Sequence, residues 1–432
     1  MAHTHPSCQF HHRAVSALLI LMLLPLATVA AQEKAGDTGK IDIPGHRSYY
    51  VGYVADTAVG KETPLLVCLH YSGGTAEQFL NQWKGSVKAA GWKAISVFST
   101  AGPGGWDPGD GPMVLAAVDH FCKEHRVDRD RVFLTGHSAG AHATVMFATW
   151  HPNVFAAAAA SAGGMFDRNK ATADSKKTAF FFLIGDKDPN WQSVSRYVPM
   201  MKEAGYRVRC DLIPGLGHAY PPDGHQRIMA FFNDHGQVSI ARKALDVVSP
   251  ALKDNQFGDA RERLARAREA VKAELTDELA KADMAALAPK VEALQAEYET
   301  RWTAWLEANP DEAKAMKEYD DALADFAKGR DDKAAGALEK LIEKSGESQA
   351  AGMARVKLQQ WLTDPQTGAA LADKLAGNGP KSLFEKGERY RKRDRMDDAK
   401  KCFDEVIEKW PHTSWAAKAR EASAAGSDDG KK

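Results

Sequence analysis

A serine, an aspartate and a histidine, met in that order along this chain, are of the types that carry out acyl transfer. The serine is Ser138, in Leu134-Thr135-Gly136-His137-Ser138-Ala139-Gly140. A serine hydroxyl is a poor nucleophile near neutral pH. It needs a base to take its proton and an acid to orient that base. Gly-x-Ser-x-Gly alone is a weak signal, but its setting strengthens it. Arg131-Val132-Phe133 reads as strand before it and 141–150 as helix after it. Strand, tight turn and helix form the context of a nucleophile elbow. Such a turn strains the serine backbone, and bulky side chains at Gly136 or Gly140 would collide with the neighbouring strand and helix.

The base and the acid follow in order. Gly217-His218 comes just after the β-type run 206–213, and Gly185-Asp186-Lys187-Asp188 just after the apolar run 178–184. Either carboxylate could serve. The Gly-x-x-Asp spacing, which lets the loop turn back, favours Asp188, with Asp186 as the alternative. His70, His137, His142, His151 and His225 are rivals to His218, but none lies in the loop directly after the last strand. An oxyanion formed on attack requires backbone donors. Ala139, directly after the nucleophile, supplies one, and the loop Tyr71-Ser72-Gly73-Gly74 supplies the other, with Ser72 preferred over Tyr71. Tyr71, His137, Trp106 and Trp191 are the expected substrate-binding side chains, the two tryptophans by stacking on an aromatic or sugar ring. This chemistry calls for no metal and no cofactor.

The elements that must position these groups alternate. Strands are expected at 48–54, 64–70, 93–98, the elbow strand, 154–160, 178–184 and 206–213. Helices are expected at 75–90, 113–125, 141–150, 191–204 and 223–235, and a Gly/Pro-rich loop at 101–112 carries Trp106. Continuous apolar runs such as Leu65-Leu66-Val67-Cys68-Leu69 suit strands buried on both faces. The alternation predicts an α/β fold with a mostly parallel sheet and helices on both faces. In such sheets chemistry sits beyond the carboxyl ends of the strands. Only 50 positions separate Ser138 from Asp188. Strands and loops consume most of them, which leaves no room for a large cap and predicts an open site.

Together, His70-Tyr71-Ser72-Gly73-Gly74, Gly136-His137-Ser138-Ala139-Gly140, Gly185-x-x-Asp188 and Gly217-His218 resemble an α/β-hydrolase. More narrowly, they resemble secreted esterases of the polyhydroxybutyrate-depolymerase, feruloyl-esterase and acetyl-xylan-esterase kind. The lead-in Val127-Asp128-Arg129-Asp130-Arg131-Val132-Phe133 is similar to theirs, and the likeness covers about residues 45 to 236. Tyr71 departs from it, since many such esterases carry glycine after the histidine. The resemblance implies hydrolysis of a carboxylic ester through an acyl-enzyme without a metal. Candidate substrates are feruloyl or acetyl groups on polysaccharide, or a short polyester. A serine peptidase of related fold is the alternative within enzymes. A non-catalytic scaffold with an inactive hydrolase domain is the alternative outside them.

From residue 237 the composition shifts toward Ala, Glu, Lys, Arg and Leu, and 260–275 and 290–306 read as amphipathic helices. Leu383, Gly387, Tyr390, Ala399, Phe403 and Pro411 fall at the spacings of a tetratricopeptide unit, which this stretch resembles, although Lys386 stands where leucine is usual. Phe326, Ala334 and Leu338 suggest an earlier unit, and Gln256-Phe257-Gly258-Asp259-Ala260 the start of another. Stacked units of this type often present a groove to a protein or peptide. The expected domains are a signal peptide at 1–31, the hydrolase at 40–236, a helical domain at 237–423 and a disordered tail at 424–432.

The signal reading rests on His11-His12-Arg13 before the apolar run 17–26 and small residues at 27–31. It implies export to the periplasm, cell surface or medium, with no membrane span after its removal. The 432 residues carry a formal net charge of zero, which gives no support for a nucleic-acid partner. Cys68, Cys122, Cys210 and Cys402 are far apart and lack metal-type spacing.

Overall fold

The computed structural model describes residues 33–167, 171–364 and 366–428. The expected signal segment, 1–31, lies outside them. Two compact units divide at Trp302 and Thr303.

The unit from Lys34 to Trp302 opens with β1 (Gly36–Asp42), β2 (Tyr49–Val54), β3 (Thr63–Leu69), α1 (Ala76–Ala90), β4 (Lys93–Val97) and α2 (Gly111–Glu124). It continues with β5 (Val127–His137), α3 (Ala139–Trp150), β6 (Ala157–Ser161), β7 (Ala179–Gly185), α4 (Trp191–Glu203) and β8 (Arg207–Ile213). Then come α5 (Gly224–Lys253), α6 (Phe257–Val271) and α7 (Glu278–Ala308), inside which the division falls. The sheet order is β1-β2-β4-β3-β5-β6-β7-β8. β1 and β2 are antiparallel to their neighbours, and β4-β3-β5-β6-β7-β8 run parallel. This is the mostly parallel α/β-hydrolase sheet. β1 has no sequence signal: with only Ile41 large and apolar, it joins the edge through backbone pairing with β2.

The core follows from strand periodicity. Along β3, Leu65, Val67 and Leu69 feed one apolar layer, and Leu66 and Cys68 feed the opposite one. The first layer packs against Val114 and Phe121 of α2, Val145 and Phe147 of α3, and Val194 of α4. The second packs against Phe79 and Trp83 of α1 and Ile228, Phe231 and Phe232 of α5. Helix α1 starts with a capping box between Thr75 and Gln78 and stops at Gly91, whose left-handed φ of 68° closes the turn.

The sequence ends the hydrolase at 236, but α5 passes straight through that position to Lys253. Gly236 is a point of close approach: a Cβ there would lie 3.0 Å from Phe133 of β5. Beyond it Val238, Ala241 and Ala244 pack with Ala267 of α6 and Ala280, Met284 and Val291 of α7. Charged groups bind the same helices to the sheet. Arg266 Nη2 pairs with the buried Asp128 carboxylate at 2.7 Å, at the start of the elbow strand. Arg209 of β8 and His235 of α5 both reach Asp277, at 3.1 Å each. Asp234 accepts bonds from the Thr276 amide and hydroxyl and from the Asp277 amide.

The second unit contains α8 (Pro310–Ala327), α9 (Asp331–Lys344), α10 (Gln349–Leu362), α11 (Gly368–Ala376), α12 (Gly379–Arg391), α13 (Met396–Lys409) and α14 (Ser414–Asp428). Residues 424–428, read as disordered from composition, continue α14; 429–432 lie outside the described residues. Among the described residues, three helical hairpins share one signature. Each turns through a left-handed residue, Asn255, Gly329 or Asp394. Five positions later comes a buried alanine (Ala260, Ala334, Ala399), and four after that a buried Leu264, Leu338 or Phe403. The small residues permit close helix contact. At Gly387 of α12, a Cβ would lie 2.6 Å from the Phe403 ring of α13.

Candidate active site

β5 ends at His137 and α3 begins at Ala139, which leaves Ser138 alone in the turn with φ 56° and ψ −117°. A non-glycine residue is held in that region only when its surroundings over-determine it. Here the Ser138 amide donates to Ser161 O at 2.9 Å, and the His142 amide donates to Ser138 O at 3.1 Å. The flanking glycines make the turn sterically possible. A Cβ on Gly136 would stand 2.3 Å from the Gly140 backbone, and one on Gly140 would stand 2.0 Å from Leu69 O of β3.

The loops after β7 and β8 meet at the same sheet edge. A Cβ on Gly185 would lie 1.9 Å from Leu216 O, so the two loops touch backbone to backbone. The Lys187 amide donates to Leu216 O at 3.0 Å. His218 stands between the other two groups. Its Nδ1 lies 2.9 Å from Asp188 Oδ2, and its Nε2 lies 2.8 Å from Ser138 Oγ. An ionised carboxylate can only accept, so Nδ1 carries the proton and Nε2 is free to accept from the serine hydroxyl. The Asp188 side chain is fully buried, and its Oδ1 accepts the Asn190 amide at 2.8 Å. Asp186 has a different use: its exposed carboxylate accepts the Gly215 amide at 2.8 Å and braces the turn that leads to His218.

A cleft of about 340 Å³ opens over the serine, lined by Tyr71, Ser72, Gln82, His137, Ser138, His218 and Tyr220. Gly105 lies near both Ser72 and Ala139: a Cβ on it would be 3.7 Å from Ser72 Oγ and from Ala139 Cβ. Among the described residues, neither the Ser72 nor the Ala139 amide makes a turn or loop hydrogen bond to another backbone group. His137 lies 5.2 Å from the His218 ring and stacks on Tyr220 at 4.8 Å. Burial, reinforced by the neighbouring His218, pushes His137 down to about 4, so this wall of the cleft is neutral near pH 7. Burial raises the Tyr220 hydroxyl above its ordinary value.

Two expected substrate residues are not among those lining the cleft. Trp106 is half-buried, and its indole N–H donates to His70 O at 2.8 Å. Trp191 opens α4, also half-buried, and packs on the core layer beneath the sheet. Both rings pack against the apolar layer that holds Val145 and Phe147. Tyr220 and Gln82 do line the cleft and carry no motif. Tyr220 lies two residues beyond His218, and Gln82 is an exposed position on α1; only the meeting of loops reveals them. Of the rival histidines, His70, His142 and His225 are held below their ordinary range, chiefly by burial. Among the described residues no cluster of three His, Cys, Asp or Glu could hold a metal ion, and Cys68, Cys122, Cys210 and Cys402 are free thiols.

Strand order, elbow and loop positions define the fold as that of an α/β-hydrolase. Residues 98–175 match the model of the prolyl oligopeptidase family. The chain is similar to an acetylxylan esterase of Coprinopsis cinerea, at 32% identity over 23% of this chain and 30% of that one. It is similar to feruloyl esterase B of Talaromyces stipitatus, at 27% identity over 34% and 44%. It is also similar to poly(3-hydroxyalkanoate) depolymerase C of Paucimonas lemoignei, at 31% identity over 24% and 28%. The chain thus spans less than half the length of each of these relatives.

Proposed function

We propose that this protein is an exported serine hydrolase that cleaves carboxylic esters through an acyl-enzyme. The observation that carries the reading is His218 bridging the Ser138 hydroxyl and the buried Asp188 carboxylate, at 2.8 and 2.9 Å. In this mechanism His218 Nε2 takes the Ser138 proton as Oγ attacks the ester carbonyl. The Ala139 and Ser72 amides stabilise the oxyanion, and Asp188 stabilises the imidazolium. His218 then protonates the leaving alcohol, and a water activated by the same nitrogen releases the acid. The cleft beside the neutral His137 and the three named relatives support acetyl or feruloyl esters on polysaccharide, or a short polyester, as substrate. The shared hairpin signature supports a tetratricopeptide-like platform for a protein or peptide in the helical half. The apolar run 17–26 supports export. No helix among the described residues is long and apolar enough to cross a membrane.

The test is hydrolysis of p-nitrophenyl acetate, followed by a panel of acetyl, feruloyl and hydroxybutyrate esters. Ser138→Ala is expected to abolish turnover and fluorophosphonate labelling. A Ser138→Ala protein with the wild-type rate ends the proposal. The prolyl oligopeptidase match favours a second reading, amide hydrolysis, and a matched panel of p-nitroanilides separates the two.

A further inference from the structure

The groups that aim the second oxyanion amide lie outside the cleft, in the segment between β4 and α2. This step rests on the reading of Ser138 as nucleophile. In a trans peptide the C=O and N–H point in opposite directions. Whatever holds the Tyr71 carbonyl therefore sets the direction of the Ser72 amide. Two donors hold it, His70 Nδ1 and the Gly74 amide, each at 3.0 Å. The other nitrogen of the buried His70, Nε2, accepts the Ser99 amide at 3.2 Å. An imidazole that accepts at Nε2 carries its proton on Nδ1. The Ser99 contact thus selects the tautomer that donates to Tyr71, and burial keeps the ring neutral.

The same segment grips both sides of that peptide. Trp106 Nε1 donates to His70 O at 2.8 Å, and the Gly73 amide donates to Pro103 O at 2.7 Å. Asp110, 1% exposed, organises the segment in turn. Its carboxylate accepts the Asp107 amide at 3.1 Å and the Thr100 hydroxyl at 2.5 Å, and lies 3.2 Å from Ser99 Oγ. Ser99 Oγ also bonds the carbonyl of Gly105. Gly105, at φ +132°, lies near both Ser72 and Ala139: a Cβ on it would be 3.7 Å from Ser72 Oγ and from Ala139 Cβ. Ser99, Trp106 and Asp110 are not among the residues lining the cleft.

We propose that Asp110, Ser99 and Trp106 are positioning residues, which act through His70 to hold the Ser72 amide beside that of Ala139 as the oxyanion forms. Trp106 contributes through its indole N–H and not through stacking on substrate. Trp106→Phe is the sharpest probe, because it removes that donor and keeps a ring against His70 and Phe147, now at 5.1 and 6.1 Å. The effect should be a fraction of the ~100- to 1000-fold cost of deleting an oxyanion donor outright, so roughly ten-fold in kcat with KM unchanged.

The experiment compares full-length wild type, Trp106→Phe and Asp110→Asn in two assays. One is p-nitrophenyl acetate hydrolysis. The other is inhibition by an aryl trifluoromethyl ketone, which forms a tetrahedral adduct bearing the oxyanion. Both variants are expected to lose ketone affinity and kcat by the same factor, while the pH dependence of kcat/KM keeps its shape. Trp106→Phe with wild-type kcat overturns the inference, as does a loss of kcat with ketone affinity intact. If Asp110→Asn fails to fold, Trp106→Phe alone decides. A wild-type protein inactive on all esters refutes the hydrolase reading instead, and the two failures are distinct.

Discussion

Replacing Asp188 with asparagine perturbs the site where its geometry is least tolerant. The carboxylate accepts at both oxygens, from His218 Nδ1 at 2.9 Å and from the Asn190 amide at 2.8 Å. Asparagine keeps the shape but must present an NH₂ group at one of those places. With the NH₂ toward Asn190, two donors face each other in a fully buried site, at a cost of about 1–3 kcal/mol. With the NH₂ toward His218, Nδ1 must accept, and the imidazole proton moves to Nε2. That proton then points at Ser138 Oγ, and the base is lost. The second arrangement prevails, and the neutral amide no longer stabilises an imidazolium. The expected fall in kcat is ~10⁴-fold, which corresponds to about 5 kcal/mol in the barrier. Asp186→Asn is the matched control. Its carbonyl can still accept the Gly215 amide from an exposed position, so the change should stay within about two-fold. Initial rates on p-nitrophenyl acetate at saturation measure both, with circular dichroism to verify folding. An Asp188→Asn enzyme within ten-fold of wild type, or an Asp186→Asn enzyme equally damaged, refutes the assignment.

The elbow makes a steric prediction. Gly140→Ala sets a methyl 2.0 Å from Leu69 O and 2.7 Å from His70 O, both backbone atoms. It should destabilise the protein by about 3 kcal/mol, and an unchanged urea midpoint would show that the close approach is not real. The helices after 236 make a second prediction: a chain ending at Trp302 should fold and retain the activity, and one ending at Gly236 should not. Soluble, active 34–236 protein would show that the Arg266–Asp128 and Arg209–Asp277 pairs are dispensable. A third concerns acid. Burial alone would raise the Asp277 carboxyl, but His235, the Ala280 amide and Arg209 hold it down to about 2. A carboxyl lowered on folding adds stability above its unfolded value of ~3.9, and that stability is lost as pH falls toward the folded value. Asp277→Asn should therefore be about 2 kcal/mol less stable than wild type near neutral pH, and the gap should narrow below about pH 4. A gap in urea unfolding that stays constant with pH contradicts the linkage.

Local chemistry made much of this chain legible from sequence. Gly136 and Gly140 announce an elbow because no other residue type fits against β3 and α3. Apolar runs such as that of β3 announce central strands because both faces are buried. The order Ser138, Asp188, His218 is readable because strand ends share one edge of a parallel sheet. The change of composition at 237, in contrast, reads as a domain boundary until α5 is seen to run through it to Lys253. The Gly-x-x-Asp spacing favours Asp188 over Asp186, and the folded loops set Asp188 beside His218 while Asp186 faces the Gly215 amide. The tryptophans teach the same lesson: Trp106 has the composition of a substrate platform, but its indole N–H is bonded to His70 O. Sequence determines which groups are available and which local conformations they permit. Only the tertiary structure decides which group meets which, because those meetings join residues 80 positions apart, as His218 and Ser138 are, or 138, as Arg266 and Asp128 are. No periodicity or propensity within a short window encodes such a distance.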